Sequence, residues 1–379
     1  MIIGLLGLGT IGRGIYEHLE KRDDIRVKRI CDLLRHPGLE HLETSDFREV
    51  LNDPEIDTVV ELIGGMEPAH TFTVQALSAG KNVVSANKLM FSHHMEEILT
   101  LAREKGVQYR YDASVGGSIP FLHNLMRHRS ADRLTGVSGI VNGTTNLILD
   151  IMQREGRSFA DVLKEAQAQG YAEANPSADI DGIDAQCKIA IASAVAYGQY
   201  VRPEDVDTAG IRHIDASDII RFKGMDRVCR LIARSTRNAD GSVSAWVEPT
   251  LVPADSAEAA IRLNNNIITV EGEYFGSQSF TGQGAGKDPT AFAVELGLRD
   301  ILEGVGPRMN PLPEGYADVD NARAEHPYYL RTAAAPGVPA KPLGDGAWIT
   351  EPMSVRDMHA LAKRLAEQDE ATFFAGICG

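Results

Sequence analysis

The chain has few cysteines, no excess of basic charge and no long hydrophobic run. Its four cysteines, Cys31, Cys187, Cys229 and Cys378, are far apart and form no CxxC pair. They suit free thiols in a reducing compartment and do not make a disulfide framework. Lys and Arg number 38 against 53 Asp and Glu, a net charge of -15. That deficit argues against nucleic acid or an anionic membrane surface as a partner. No apolar run reaches the ~18 residues of a membrane span. The N-terminus, MIIGLLGLGT, lacks the basic n-region of a signal peptide. The eleven histidines show no HxxxH spacing, so local pattern offers no transition-metal site. There is no internal repeat or low-complexity segment. A cytoplasmic protein with two or three cores is the expectation for 379 residues.

What is present is an alternation of apolar runs and helical patterns. Residues 2–6, 25–31, 58–63, 82–85 and 107–111 read as strands; 11–21, 69–78 and 93–104 read as helices. Such alternation predicts right-handed βαβ units and a mainly parallel sheet. The fold class is therefore α/β, with a Rossmann-type dinucleotide-binding domain over residues 1–127. A second α+β domain covers 128–288, with a helix at 289–303 expected to pack back on the first. Prolines and glycines mark 305–326 as a linker, and 327–379 forms a short C-terminal αβ tail.

The first strand runs into Gly7-Leu8-Gly9-Thr10-Ile11-Gly12, which opens the first helix. In a GxGxxG turn the glycines allow the tight bend, close approach to a pyrophosphate and close helix–strand packing. The helix N-terminus adds free N–H groups and a positive dipole end. Asp32 ends the second strand, where an acid commonly holds the adenosine ribose. The plain alternative is a glycine-rich turn without ligand. A carboxylate at 32 favours NAD over NADP, although Arg35 and His36 could reverse this by pairing with a 2′-phosphate. Glu61-Leu-Ile-Gly64-Gly65 ends the third strand with a glycine pair that can lie against the cofactor. Asn87 and Lys88 close the run NVVSANK at a strand's carboxyl end, where open α/β sheets bind ligands. A solvated loop lysine explains Lys88 equally well on this motif alone.

The segment YAEANPSADIDGIDAQCKIAIASAVAY gathers Glu173, Asp179, Asp181 and Asp184, then sets Lys188 one helical turn beyond Asp184. The helix beyond is apolar on nearly every face, which predicts burial. Burial lowers a lysine's pKa and neighbouring carboxylates raise it, so such a group can be tuned for proton transfer. The alternative is an i,i+4 salt bridge at a helix start. Two further loops, residues 112–120 and Asn142-Gly143-Thr144 with its neighbours, carry backbone and hydroxyl groups suited to a ligand, or are simply interdomain turns.

Taken in order, GLGTIG, VVELIGG, VVSANK, ASVGGSIP, GIVNGTTNLIL, GYAEANPSADIDGIDAQCK, PTLVP and GQGAGKDPT resemble the motifs of homoserine dehydrogenase. The likeness covers about residues 2–303. It implies NAD(P)-dependent interconversion of L-aspartate 4-semialdehyde and L-homoserine by a homodimer or dimer-based oligomer, with 128–288 as the substrate-binding and dimerisation domain. It implies Lys188 and Lys88 as active-site lysines, with Glu173, Asp179 and Asp184 as acidic substrate groups. The carboxylates would bind the substrate ammonium, and Asn142, Gly143 and Thr144 its carboxylate. Gly284 would join Gly7, Gly9, Thr10, Ile11, Gly12, Asp32, Gly64, Gly65 and Asn87 at the cofactor. The backbone of Asp112, Val115 and Gly117 resembles a monovalent-cation loop for Na+ or K+. The buried-looking helix makes Lys188 the expected proton donor. Asn175, Asp112, Leu147 and Lys287-Asp288 depart from the family pattern without removing a matched catalytic group. HPYYLRTAAAPGV resembles the start of a regulatory ACT domain, but the remaining residues are too few for a complete one; with no aspartate-kinase segment before residue 1, a monofunctional form is the expectation. Two other readings remain: an oxidoreductase for a related amino aldehyde, and a silent dinucleotide sensor that kept the fold.

Overall fold

The computed structural model describes residues 1–305 and 312–378; the prolines at 307 and 311, and so the core of the expected linker, lie outside the described residues. One compact unit comprises Met1–Ala131, Ala194–Tyr200 and Gln283–Gly315, and a second comprises Asp132–Ser193, Val201–Gly282 and Tyr316–Gly379.

In the first unit the apolar runs form β1 (Ile2–Leu6), β2 (Arg26–Cys31), β3 (Glu43–Thr44), β4 (Thr58–Glu61), β5 (Asn82–Ser85) and β6 (Tyr109–Arg110). Between them lie helices α1 (Thr10–Leu19), α2 (Phe47–Leu51), α3 (Ala69–Ser78) and α4 (Lys88–Lys105), and α5 (Phe121–Ala131) comes after β6. The six strands make one parallel sheet in the order β3-β2-β1-β4-β5-β6. Strand order reverses between β1 and β4, and in such sheets ligands bind beyond the strand carboxyl ends at this switch point. The register puts Leu6 beside Cys31 on one side and Glu61 on the other. Gly7, Asp32 and Leu62 therefore leave the sheet along one edge.

The reading of a helix over 93–104 is corrected at its start: α4 begins at Lys88. Asn87 caps it, its side chain accepting from the Met90 amide at 3.1 Å, and this nucleates a first turn before a kink at His94 (φ -120°, ψ 20°). The break at His94 masks one continuous periodicity in the sequence. Helices α2 and α5 and strand β3 carry too short a pattern to stand out.

The second unit starts with β7 (Leu134–Ile140), α6 (Gly143–Glu155), α7 (Phe159–Ala168), α8 (Ser177–Ile180) and α9 (Ile183–Tyr197, its last turn grouped with the first unit). It continues through β8 (Asp207–Thr208), α10 (Ala216–Gly224), β9 (Arg227–Arg237), β10 (Val243–Pro253), α11 (Ala257–Ala260), β11 (Asn265–Gly272) and β12 (Gly276–Gln283). Helix α12 (Lys287–Leu302) belongs to the first unit and packs on α1, where a Cβ on Gly14 would stand 3.1 Å from Ala291 Cβ. The tail adds β13 (Glu325–His326), β14 (Tyr328–Arg331), β15 (Ala340–Gly344), β16 (Ala347–Thr350), β17 (Met353–Ser354), α13 (Val355–Ala366) and β18 (Phe373–Ile377).

The second unit's main sheet runs β12-β11-β7-β9-β10-β18-β14-β16-β15, with β8 also pairing β10. The tail is thus an extension of the same sheet, β18 lying parallel to β10 and β14 antiparallel to β18. Within the tail β15 pairs with β16, although Pro342 and the glycines weaken the strand signal there. Ser158 and Ser354 cap α7 and α13, accepting from the amides of Asp161 and Asp357. Helix α9 is buried from Cys187 to Tyr197, as its apolar surface requires. No helix of the described residues is long and apolar enough to cross a membrane.

Candidate active site

In the first unit the glycine turn has a division of labour that a single added methyl group exposes. Gly7 sits at φ +86°, and a Cβ there would meet the Leu62 carbonyl oxygen at 2.8 Å. A Cβ on Gly12 would stand 2.1 Å from the Gly7 carbonyl oxygen. Both positions need glycine for the fold. A Cβ on Gly9 would meet no atom within 4 Å, and Gly9 is exposed with Thr10. Open space at the second glycine, over the amino end of α1, fits a dinucleotide pyrophosphate. Thr10 starts the helix beside it and Ile11 follows.

Asp32 is tied to this turn. Its Oδ2 accepts from the Leu8 amide at 2.6 Å and its Oδ1 from the Leu34 amide at 2.9 Å. Burial works to raise its pKa, but these amides and His36, 3.5 Å away, outweigh it and leave the pKa lowered. The carboxylate is therefore ionised and fixed just past the carboxyl end of β2. Arg35 is exposed and stands 3.5 Å from Glu43, while Arg13 reaches His36 Nδ1 at 3.4 Å.

Lys88 follows a network of fixed residues. Ser85 Oγ donates to the buried Glu61 carboxylate at 2.7 Å and accepts from the Asn87 amide at 3.0 Å. Asn87 Nδ2 donates to the Gly65 carbonyl at 2.8 Å. Asn87 in turn caps α4, so Lys88 occupies its first turn. Burial raises the Glu61 pKa against the bonds from Ser85 and Ile63. Gly64 and Gly65 are exposed at φ +77° and +71° with no atom near their would-be Cβ positions. The role of Ser85 was not legible in the sequence; its only signal is its place two residues before Asn87.

Gly284 and the loop 112–119 come together in the same unit. A Cβ on Gly117 (φ +54°) would lie 2.7 Å from the Gly284 carbonyl oxygen, and the Ser118 amide donates to the Gln283 carbonyl at 3.3 Å. Val115 is buried, and burial raises the Asp112 pKa. Within the loop the Tyr111 carbonyl accepts from Ser114 and the Gly116 carbonyl from Ile119.

In the second unit four predicted residues converge. Asn142 is the N-cap of α6, its side-chain oxygen accepting from the Thr145 amide at 2.9 Å. Its Nδ2 donates to Asp179 Oδ1 at 2.7 Å and to Asp184 Oδ2 at 2.8 Å. Lys188 Nζ donates to the same Asp184 oxygen at 2.7 Å and to the Val141 carbonyl at 2.7 Å. Lys188 is 6% exposed and Asp184 8%. Burial and then the Asp184 charge raise the Asp179 pKa, against the bond from Asn142. Gly143 lets the chain pass Asn264, whose carbonyl oxygen would be 2.7 Å from an added Cβ. Thr144 Oγ1 donates to the Tyr171 carbonyl at 3.0 Å, tying α6 to the acidic loop.

The other acids of the loop stand apart. Glu173 is exposed, and its carbonyl accepts from Gln167 at 3.0 Å. Asp181 pairs with Arg212 at 2.6 Å. The Val141 carbonyl, which orients Lys188, leaves no trace in a sequence because any residue would supply it.

Comparison with known proteins assigns these two halves. Residues 7–112 match the NAD binding domain of homoserine dehydrogenase, and residues 120–302 match the homoserine dehydrogenase family itself. The homoserine dehydrogenase of Pseudomonas aeruginosa is 34% identical over 97% of this chain and 89% of its own length. That of Synechocystis is 39% identical over 82% and 76%. Among solved structures, a homoserine dehydrogenase from Thiobacillus denitrificans superposes with a TM-score of 0.88 at 31% identity, covering 100% of this chain and 98% of that one. The Staphylococcus aureus enzyme gives 0.77 at 27% identity, covering 100% and 99%. With a dinucleotide turn, a buried lysine among carboxylates and relatives matched along nearly their full length, the chain belongs to the homoserine dehydrogenase family and is an NAD(P)-dependent oxidoreductase of amino-acid biosynthesis.

Proposed function

We propose that Lys188 is the general acid and base of the reaction, and that Lys88 orients the substrate. The observation that carries this reading is the pair of short bonds from Lys188 Nζ to the Val141 carbonyl and Asp184. An ammonium has three N–H donors; two are directed inward, and the third serves the substrate oxygen. The bound nicotinamide supplies the hydride that reduces the aldehyde carbon. Lys188 stabilises the alkoxide that develops and donates its proton to that oxygen. In the oxidative direction the neutral amine takes the hydroxyl proton. Asp184 holds the ammonium form in place through a bond at 2.7 Å.

Asp179 and Glu173 receive the substrate ammonium in this reading, and Asn142, Gly143 and Thr144 lie beside its carboxylate. Support for Asp179 is its raised pKa: a carboxylate destabilised by burial and a like charge gains most from an arriving cation. Gly7, Gly9, Thr10, Ile11, Gly12, Asp32, Gly64, Gly65, Asn87 and Gly284 hold the cofactor. NAD is favoured over NADP because Asp32 is ionised and fixed, and Arg35 lies 3.5 Å from Glu43. The backbone of Asp112, Val115 and Gly117 is the proposed place for Na+ or K+. The assembly is a homodimer, for which the exposed edge strand β12 supplies a pairing edge; light scattering on the purified chain measures this directly.

Steady-state kinetics with homoserine, each cofactor, and added potassium or sodium test the reading. Lys188→Ala is expected to lower kcat by roughly 10²- to 10⁴-fold, the usual worth of a positioned acid or base. Retention of near-native kcat by Lys188→Ala at every pH, with loss in Lys88→Ala, would reverse the assignment of the two lysines.

A further inference from the structure

Away from the residues already assigned, the first unit brings two histidines and a glutamate from neighbouring helices to one point. His70 is the second residue of α3; His94 and Glu97 are one turn apart on α4. His70 Nε2 lies 2.9 Å from Glu97 Oε2, and His94 Nδ1 lies 3.3 Å from the same oxygen. One donor atom from each residue falls within 4.8 Å of the others. The two imidazole rings stack, centroids 3.8 Å apart and planes 22° from parallel. The kink that reshapes α4 is at His94 itself.

A second observation concerns the far nitrogen of His70. Its Nδ1 is 3.3 Å from Glu67 Oε1, and Glu67 is in turn fixed by the Thr71 hydroxyl at 2.8 Å and the Thr71 amide at 3.3 Å. A carboxylate on one ring nitrogen fixes the tautomer that leaves the other nitrogen's lone pair free, which is how metal-ligating histidines are oriented. The side chains are partly sheltered at the histidines and open at Glu97, with 19%, 31% and 50% exposure. That geometry leaves room for water as a further ligand.

We propose that His70, His94 and Glu97 bind one divalent cation of the zinc, cobalt or nickel type. Two imidazoles and one carboxylate are a donor set for borderline ions, whereas magnesium and calcium take oxygen ligands. The ligands come from separate helices, which is why no HxxxH spacing announces them. The ion ties the start of α3 to α4 just past its kink. Both segments border proposed cofactor residues, since Gly65 leads into α3 and accepts a bond from Asn87, the cap of α4. The ion is a clamp beside the dinucleotide site; none of its three ligands is among the catalytic or cofactor-binding residues.

The test is equilibrium dialysis of the full, chelator-treated chain against Co2+ and Zn2+, with metal analysis, the visible spectrum of bound Co2+ and a melting curve. The expected result is one tight equivalent per chain, a nitrogen/oxygen-ligand Co2+ spectrum without thiolate bands, and a higher Tm with metal than without. His70→Ala and His94→Ala abolish that equivalent, and His94→Gln serves where the alanine variant does not fold. Glu67→Gln keeps the stoichiometry but weakens binding by about 10- to 100-fold, the usual effect of losing an orienting carboxylate. The proposal is overturned if the wild-type chain takes up no equivalent in preference to Mg2+. It is equally overturned if the His70→Ala/His94→Ala double variant binds with unchanged affinity, which would place the metal on other histidines or on Cys378.

Discussion

One Asp184 oxygen receives both Lys188 Nζ and Asn142 Nδ2, and this shared acceptor organises the residues proposed to bind substrate in the second unit. The pairing of Asp184 with Lys188 was legible because both lie on one helix at i,i+4 spacing. The partnership with Asn142 was not, since it joins residues far apart in the chain through a cap on α6. Glu173 illustrates the reverse: grouped with the other acids in sequence, it stands exposed and outside their hydrogen-bond network. Asp179 gives the sharpest prediction at this scale. Burial and Asp184 raise its pKa in the folded chain, so the folded state binds that proton more tightly than the unfolded chain does. Its contribution to stability is full below the unfolded value of about 3.9 and is lost as pH rises through the raised folded value. Asp179→Asn is expected to remove that slope, leaving Tm at pH 7 equal to or above that of the wild type. The same change is expected to raise KM for homoserine by about 10- to 100-fold, the loss of a hydrogen bond to a charged group. Thermal melts across pH, paired with KM measurements, check both halves.

Single elements position these residues, and the elements differ in how clearly the chain announces them. The turn into α1 was readable because strand, glycines and helix come in order. The start of α4 was not, since the Asn87 cap precedes a turn that the break at His94 separates from the rest. Helix α6 was concealed too, because NGTTN reads as a turn until Asn142 is seen to cap the helix that begins at Gly143. The glycine turn yields a contrast between two methyl groups. Gly9→Ala meets no protein atom within 4 Å and sits in extended backbone at φ -69°, so Tm without cofactor stays near wild type while NAD(P) affinity falls. Gly12→Ala drives a Cβ to 2.1 Å from the Gly7 carbonyl oxygen and lowers Tm even without cofactor. Melting curves and cofactor titrations of the two variants separate space kept for a ligand from space needed by the fold.

At the scale of the molecule, the tail is part of the second unit's architecture. Its strands continue the sheet beyond β10, and Asp218 of α10 anchors β14 through Arg331 at 2.8 Å and the Tyr329 hydroxyl at 2.6 Å. Asp218 is fully buried, so Asp218→Ala strands the Arg331 guanidinium and is expected to cost about 3–5 kcal/mol in chemical denaturation. That the tail completes a sheet was illegible from local pattern, because β-pairing partners lie far apart in sequence and β18 pairs with β10. The parallel sheet was legible from periodicity, and the family from motif order. The central claim, that Lys188 moves the proton, is most directly tested by adding small primary amines of graded pKa to Lys188→Ala during homoserine oxidation. The account predicts that amines restore turnover in this variant, with rates that track amine basicity, and do not restore it in Lys88→Ala. Rescue of Lys88→Ala alone, with Lys188→Ala indifferent to every amine, would contradict it.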